Sequence, residues 1–198
     1  MFIDENGHMP KWLKLAIGIG VIGGSLIVTL ATGGAAAGTL LASIHSVSSG
    51  VLLGSSISAV IGMTAGGLKL DENGIGWNLD NAVTGFMIGS ITGAISGGVN
   101  ATLGVVGLSN ESYLARGIMA GTDSLLGLGG YFAQNGINGT MENITVLGAF
   151  ISITGGLFNF SMPINKFFDA FWISTMAYEI AWVYDNLRSL FKKKEVDF

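Results

Sequence analysis

The chain has 198 residues, of which 49% are hydrophobic and only 11% charged, with a net charge of −4 and no cysteine. A soluble domain is typically about 25% charged, so this composition favours a surface that meets lipid over one that meets water. The lack of cysteine excludes disulfides, thiolate metal sites and cysteine nucleophiles, and a net-negative chain without a basic face excludes nucleic acid as a partner.

The first segment is residues 1–14, whose first ten residues are polar and acidic before the chain becomes apolar. Lys11 and Lys14 precede an apolar run as in a signal peptide, but the acidic start and the length of the run indicate no cleavable signal. Trp12 beside Lys14 predicts an anchor at a membrane interface, where aromatic rings and lysine side chains are enriched.

The opening residues Met1 to Trp12, MFIDENGHMPKW, resemble the end of the Rhs/YD-repeat core of bacterial polymorphic toxins and wall-associated proteins. Asp4-Glu5-Asn6-Gly7 stands where that family has a DPxG-like segment, with Glu5 in place of the proline. The resemblance implies that residues 1–14 join an upstream Rhs-like core to a C-terminal toxin tip, which the family releases by cleavage near the junction. It also implies a secreted or cell-surface origin and a cognate immunity protein as partner.

Residues 15–107 are predicted to form glycine-zipper apolar helices. No Asp, Glu, Lys or Arg occurs between Lys14 and Lys69, an interval long enough for two membrane crossings of about 20 residues each. We expect the break between them at Ala31-Thr32-Gly33-Gly34. Small residues then recur at every fourth position: Gly34, Gly38, Ala42, Ser46, Gly50, Gly54, Ser58, Gly62 and Gly66.

A third apolar segment, Val83 to Val106, repeats this spacing with Gly85, Gly89, Gly93 and Gly97. Residues four apart lie on one face of a helix, and such small-residue faces let membrane helices approach closely. The pattern predicts helix packing at these four glycines and at Gly50, Gly54, Gly62 and Gly66. Packing in a soluble or shell-enclosed core is the alternative. The run also resembles the glycine-zipper segments common in membrane-active toxin tips.

The link before this segment is polar, with Asn73-Gly74 as a turn and Asn78 or Asp80 as the cap of the next helix. Residues 108–162 are predicted to be a glycine-rich helical and loop region. We expect a helix capped by Ser109 or Asn110 and a loop at Gln134 to Thr140. The uncharged stretch Asn143 to Ile164 is rich in β-branched residues, so both a helix and a buried β-hairpin remain open.

Residues 163–198 differ from the rest because glycine disappears and aromatic residues cluster. We predict an aromatic C-terminal helix with a basic end that suits the helix dipole. Its expected membrane-interface residues are Trp172, Trp182, Lys192, Lys193 and Lys194. Glu179 is either a carboxylate buried in a span or part of the wet face of an interfacial helix, and we favour the wet face.

No constellation for chemistry emerges. Gly18-Ile-Gly20-Val-Ile-Gly23 fits GxGxxG but lacks the preceding strand and following acid of a dinucleotide site. Two histidines without cysteine make a catalytic zinc site improbable. His45 is predicted to form a polar hydrogen bond between helices. We therefore predict no catalytic, cofactor or metal site and a protein that is not an enzyme.

These patterns predict an all-α bundle of glycine-zipper helical hairpins that inserts into a membrane. The predicted function is that of a toxin tip that permeabilises a bacterial target membrane, with the lipid membrane as partner and a homo-oligomer as an open alternative to action by one chain. A non-enzymatic membrane anchor or translocation module is the second hypothesis. An enzyme with a soluble glycine-rich helical core is the third.

Overall fold

The computed structural model describes residues 9–34, 38–71, 74–109, 112–161, 176–185 and 187–188. This part of the chain is almost entirely helical, which confirms the all-α class. The long helices are α1 (Lys11–Thr32), α2 (Leu40–Gly67), α3 (Leu79–Val105), α4 (Tyr113–Asn138) and α5 (Val146–Ser161). Residues 176–185 form a further helical stretch, the C-terminal helical segment.

Two of the predicted helix boundaries are confirmed. α1 ends at Thr32. Gly34 then turns the chain with a φ of 83°, a left-handed conformation that glycine adopts without steric strain. Asn78 caps α3, since its side-chain oxygen accepts hydrogen bonds from the backbone N–H groups of Asp80 and Asn81 at 2.9 and 3.2 Å.

The start of α2 differs from the predicted small-residue series. Thr39 caps this helix by accepting a hydrogen bond from the N–H of Ala42. Gly34 and Gly38 therefore lie in the connection, where both have positive φ, and the helical part of the series begins at Ala42. The polar link after α2 also contains more than a turn, because β1 (Leu68–Asp71) and β2 (Gly74–Trp77) pair as an antiparallel hairpin.

The region after α3 contains more helix than we predicted. α4 is preceded by Ser112 rather than by Ser109 or Asn110, and it continues to Asn138 through the segment expected to be a loop. Gly139, with a φ of 70°, ends it. The buried face of α4 runs through this last turn, so packing overrides the turn preference of the Asn-Gly pairs.

The alternative of a β-hairpin at Asn143 to Ile164 is wrong, because Val146–Ser161 is helical. Thr145 caps α5, since its hydroxyl oxygen accepts a hydrogen bond from the N–H of Gly148 at 2.9 Å. Close packing on α4 outweighs the β-branched composition: the side chain of Ser124 donates a hydrogen bond to the carbonyl oxygen of Ile153 at 3.0 Å.

α2 and α3 form the closest helix pair of the structure, antiparallel and backbone to backbone. Because the two helices run in opposite directions, each position four residues later in α3 pairs with a position four residues earlier in α2. The matched positions are Gly62 with Gly85, Ser58 with Gly89, Gly54 with Gly93 and Gly50 with Gly97. A Cβ added to any of the four α3 glycines would collide with the carbonyl oxygen of its α2 partner.

The other helices surround this pair. α1 contacts α2 and α3, α4 packs on α3, and α5 packs on α4. The contact between α1 and α2 includes the predicted hydrogen bond of His45, whose Nδ1 lies 3.1 Å from the carbonyl oxygen of Thr29. The C-terminal helical segment packs into the bundle through Tyr178, Ala181 and Trp182.

Candidate functional site

The interior of the described bundle contains buried polar and ionisable side chains beside its apolar clusters, and its exterior carries many large apolar side chains. Lys14, Asp123, Glu179 and Asp185 are fully buried, as are several amide and hydroxyl side chains. Large apolar side chains instead point outward along α1, α2, α4 and α5, as shown by Leu30 with 71% of its surface exposed. In a water-soluble protein charged side chains are almost never fully buried unless they are paired, whereas in membrane proteins they face the bundle interior.

Three helices of the described structure, α1, α2 and α3, are each long and apolar enough to cross a membrane. α1 is the most apolar of them and is the least covered by the rest of the chain. The described structure is therefore compatible with insertion of these three helices into a bilayer.

The polar interior begins at the N-terminal end of α1. The ammonium group of Lys14 lies 2.7 Å from a carboxylate oxygen of Asp80 and donates a hydrogen bond to the hydroxyl of Thr84 at 2.9 Å. The charge of Lys14 is thus satisfied by α3, beside the half-exposed carboxylate of Asp80, and its position at a membrane interface stays a prediction. Trp12, in contrast, is largely exposed.

α4 supplies the central polar face. Asp123, Tyr131, Gln134 and Asn135 are all buried, and their spacing places them on one side of the helix. Ser96 of α3 donates a hydrogen bond to the Asp123 carboxylate at 2.6 Å. The sequence signal of this shared face is the spacing of Asp123 to Tyr131 and Gln134, which are 8 and 11 residues away.

A second carboxylate, Asp185, connects this face to a surface cavity. Tyr131 donates a hydrogen bond from its phenol group to Asp185, and the hydroxyl of Thr145 donates another at 2.6 Å. The cavity has a volume of about 430 Å³ and is lined by Asp185, Glu142 and Arg188 among others. Polar groups thus continue from the buried face of α4 to an opening beside the start of α5.

The third buried carboxylate is Glu179. One of its oxygens accepts a hydrogen bond from the amide nitrogen of Gln134 at 3.0 Å. The other faces the contact between α2 and α3 at Gly62 and Gly85. The favoured interpretation of Glu179 as part of a wet interfacial face is therefore wrong. Its carboxyl group is buried inside the bundle.

Comparison with known protein families, characterised proteins and solved structures found no significant match. Any functional conclusion therefore depends on the geometry of this chain.

The structure brings all eight of the predicted packing glycines to a single contact. Gly85, Gly89, Gly93 and Gly97 of α3 meet the α2 residues named above, which include Gly50, Gly54 and Gly62. Gly66 belongs to the same contact, since a Cβ there would lie 3.0 Å from the carbonyl oxygen of Asn81.

The predicted interface residues near the C-terminus have different outcomes. Trp182 is buried in a cluster with Met87, Ile88 and Tyr131, so its ring fills space beside α3 and α4. Its position at a membrane interface stays a prediction. Trp172, Lys192, Lys193 and Lys194 lie outside the described residues.

Within the described ranges no group of three or more His, Asp or Glu side chains is placed to hold a metal ion.

Proposed function

We propose that this chain inserts into a bacterial target membrane and permeabilises it to ions, as the toxic C-terminal tip of a larger secreted or surface protein. The observation that carries the proposal is the combination of fully buried ionisable groups inside the bundle with large apolar side chains exposed on its outside. A bilayer stabilises that arrangement, since lipid covers the exterior while the interior satisfies the polar groups.

Cations are the ions that this interior favours. Asp123 and Asp185 are fully buried carboxylates, against the single fully buried cation Lys14 within the described residues, which is paired with Asp80. Acidic side chains attract cations and repel anions in conduction pathways. The cavity beside Asp185 offers an opening from water to this set.

The toxin part of the proposal is supported by the resemblance of Met1 to Trp12 to the end of an Rhs-type core. In this proposal a cognate immunity protein protects the producing cell. The protein acts on the membrane without catalysing a reaction, and association of several chains is one way to widen the path for ions.

A flux measurement in liposomes tests the proposal. We expect the purified protein to collapse a potassium diffusion potential, read with a potential-sensitive dye. Asp123→Asn removes an interior charge and should slow cation flux about tenfold or more. Lys69→Gln is the control for a change of one charge, because Lys69 is exposed in β1 and does not line the cavity, so it should leave the flux unchanged.

Two results would contradict the proposal. Liposome binding without loss of potential would favour a membrane anchor or translocation module. A monodisperse protein that stays in water and does not bind liposomes would favour a soluble protein. Periplasmic expression extends the test to cells, where we expect loss of membrane potential with the wild-type chain.

A further inference from the structure

Glu179 and Gln134 form a buried polar pair with unused hydrogen-bonding capacity. The Gln134 amide nitrogen donates to one carboxyl oxygen of Glu179 at 3.0 Å. The other carboxyl oxygen, Oε1, and the amide oxygen of Gln134 are buried and have no hydrogen-bond partner among the described residues. Buried polar atoms in folded proteins nearly always have partners, so these two oxygens indicate that something binds here.

The unpaired carboxyl oxygen points at the crossing of α2 and α3. It lies 3.4 Å and 3.3 Å from the positions that a Cβ would occupy on Gly62 and Gly85. These glycines bring two backbone carbonyl oxygens to the same crossing, because each would collide with the other's carbonyl if it had a side chain. The space in front of Oε1 therefore holds helix backbone without side chains, and no N–H or O–H group of the described residues donates to this oxygen.

No positive charge compensates Glu179 in the part of the chain that the structure describes. On its own helical segment its titratable neighbour is Tyr178, which is also buried. The groups that contact its two carboxyl oxygens from α2, α3 and α4 include Gly62, Gly85 and Gln134, none of which ionises. A buried carboxylate without a countercharge carries a large desolvation cost, and such a group takes up a cation or a proton instead.

We infer that Glu179 is a proton-binding site in the interior of the bundle. The proton binds Oε1, the carboxyl oxygen that accepts no hydrogen bond, and removes the uncompensated buried charge. Gln134 is a positioning residue, which holds the other carboxyl oxygen. The proton is released to water as the carboxylate re-forms, with no other bond made or broken. If the proposed permeabilisation holds, protons are among the ions that pass, and this last step alone rests on that proposal.

Labelling with a hydrophobic carbodiimide tests the site, because this reagent modifies carboxyl groups that are protonated in an apolar setting. Full-length protein in liposomes is labelled at several pH values, and the modified residues are identified by peptide mass spectrometry. We expect Glu179 to be labelled, with a rate that falls at least tenfold as the pH rises. Exposed Glu142 serves as the internal control and should stay unlabelled.

Two further variants make the result specific. Glu179→Gln should remove the label from its peptide. Gln134→Leu removes the donor that favours the charged carboxylate, so labelling should persist to higher pH. If Gln134 only supported the fold, Gln134→Leu would change the labelling rate of Glu179 by the same factor at every pH and would not shift its pH dependence.

Three results would overturn the inference: no labelling of Glu179 at any pH, labelling that does not depend on pH, or protection by added Na⁺, which would assign the site to a metal cation. Because labelling needs no ion flux, a failure of the liposome potential assay would leave this test interpretable. Labelling that fails in a protein that collapses the potential would remove the proton site alone.

Discussion

Replacing Gly89 with alanine should separate α2 from α3. The added methyl group would collide with the backbone carbonyl of Ser58, and two helix backbones cannot yield as a flexible side chain does. Overpacking a tight contact costs about 1–3 kcal/mol, and we expect the upper end of that range here. The measurement is the free energy of unfolding in detergent, together with ion flux in liposomes, which should be lost.

Gly104→Ala provides the matched control in the same helix. A Cβ at Gly104 meets nothing within 4 Å, so the alanine should be neutral or stabilise the helix by up to about 1 kcal/mol. Equal effects of the two substitutions would show that the contact between α2 and α3 does not limit stability. The same comparison separates a packing effect from the general helix preference of alanine.

The second large effect is expected at Ile19, near the middle of α1. Its side chain is 59% exposed, and the account assigns that surface to lipid. An arginine at the centre of a membrane helix costs about 2.5–3.5 kcal/mol in insertion. Ile19→Arg should therefore lower the fraction of protein that floats with liposomes by tenfold or more.

Ile75→Arg is the comparison for this experiment. Ile75 lies in β2, outside the three candidate spans, and is 80% exposed. Its substitution should leave flotation unchanged. If Ile19→Arg also had no effect, α1 would not lie in the hydrocarbon region, because a surface substitution in water usually changes stability by no more than about 0.5 kcal/mol.

Features that depend on local spacing were predictable from the sequence. The four-residue series at Gly85 to Gly97 identified the residues that lie in the contact with α2, since helix periodicity alone places them on one face. The break after Thr32 and the cap at Asn78 depend on glycine and asparagine conformations that act within a few residues. The partner of the α3 face, and its register, required the structure.

The polar interior was not predictable in the same way. The Asn-Gly pairs at Asn135 and Asn138 favour turns, so their segment was expected to be a loop. Glu179 was assigned to a wet face because a carboxylate is costly to bury in lipid, and Lys14 was assigned to the interface beside Trp12. Their true environment depends on which helices pack beside them, and no spacing within one segment contains that information.

Accessibility of single cysteines measures the central claim, that the apolar exterior faces lipid. The chain has no cysteine of its own, so Ile19→Cys, Leu53→Cys and Ile91→Cys place single reporters near the middle of α1, α2 and α3, and Ile75→Cys places one in the hairpin. In liposomes we expect a water-soluble maleimide to label position 75 rapidly and the three helix positions at least tenfold more slowly. Equal labelling of all four positions would contradict the account and place the exterior of the bundle in water.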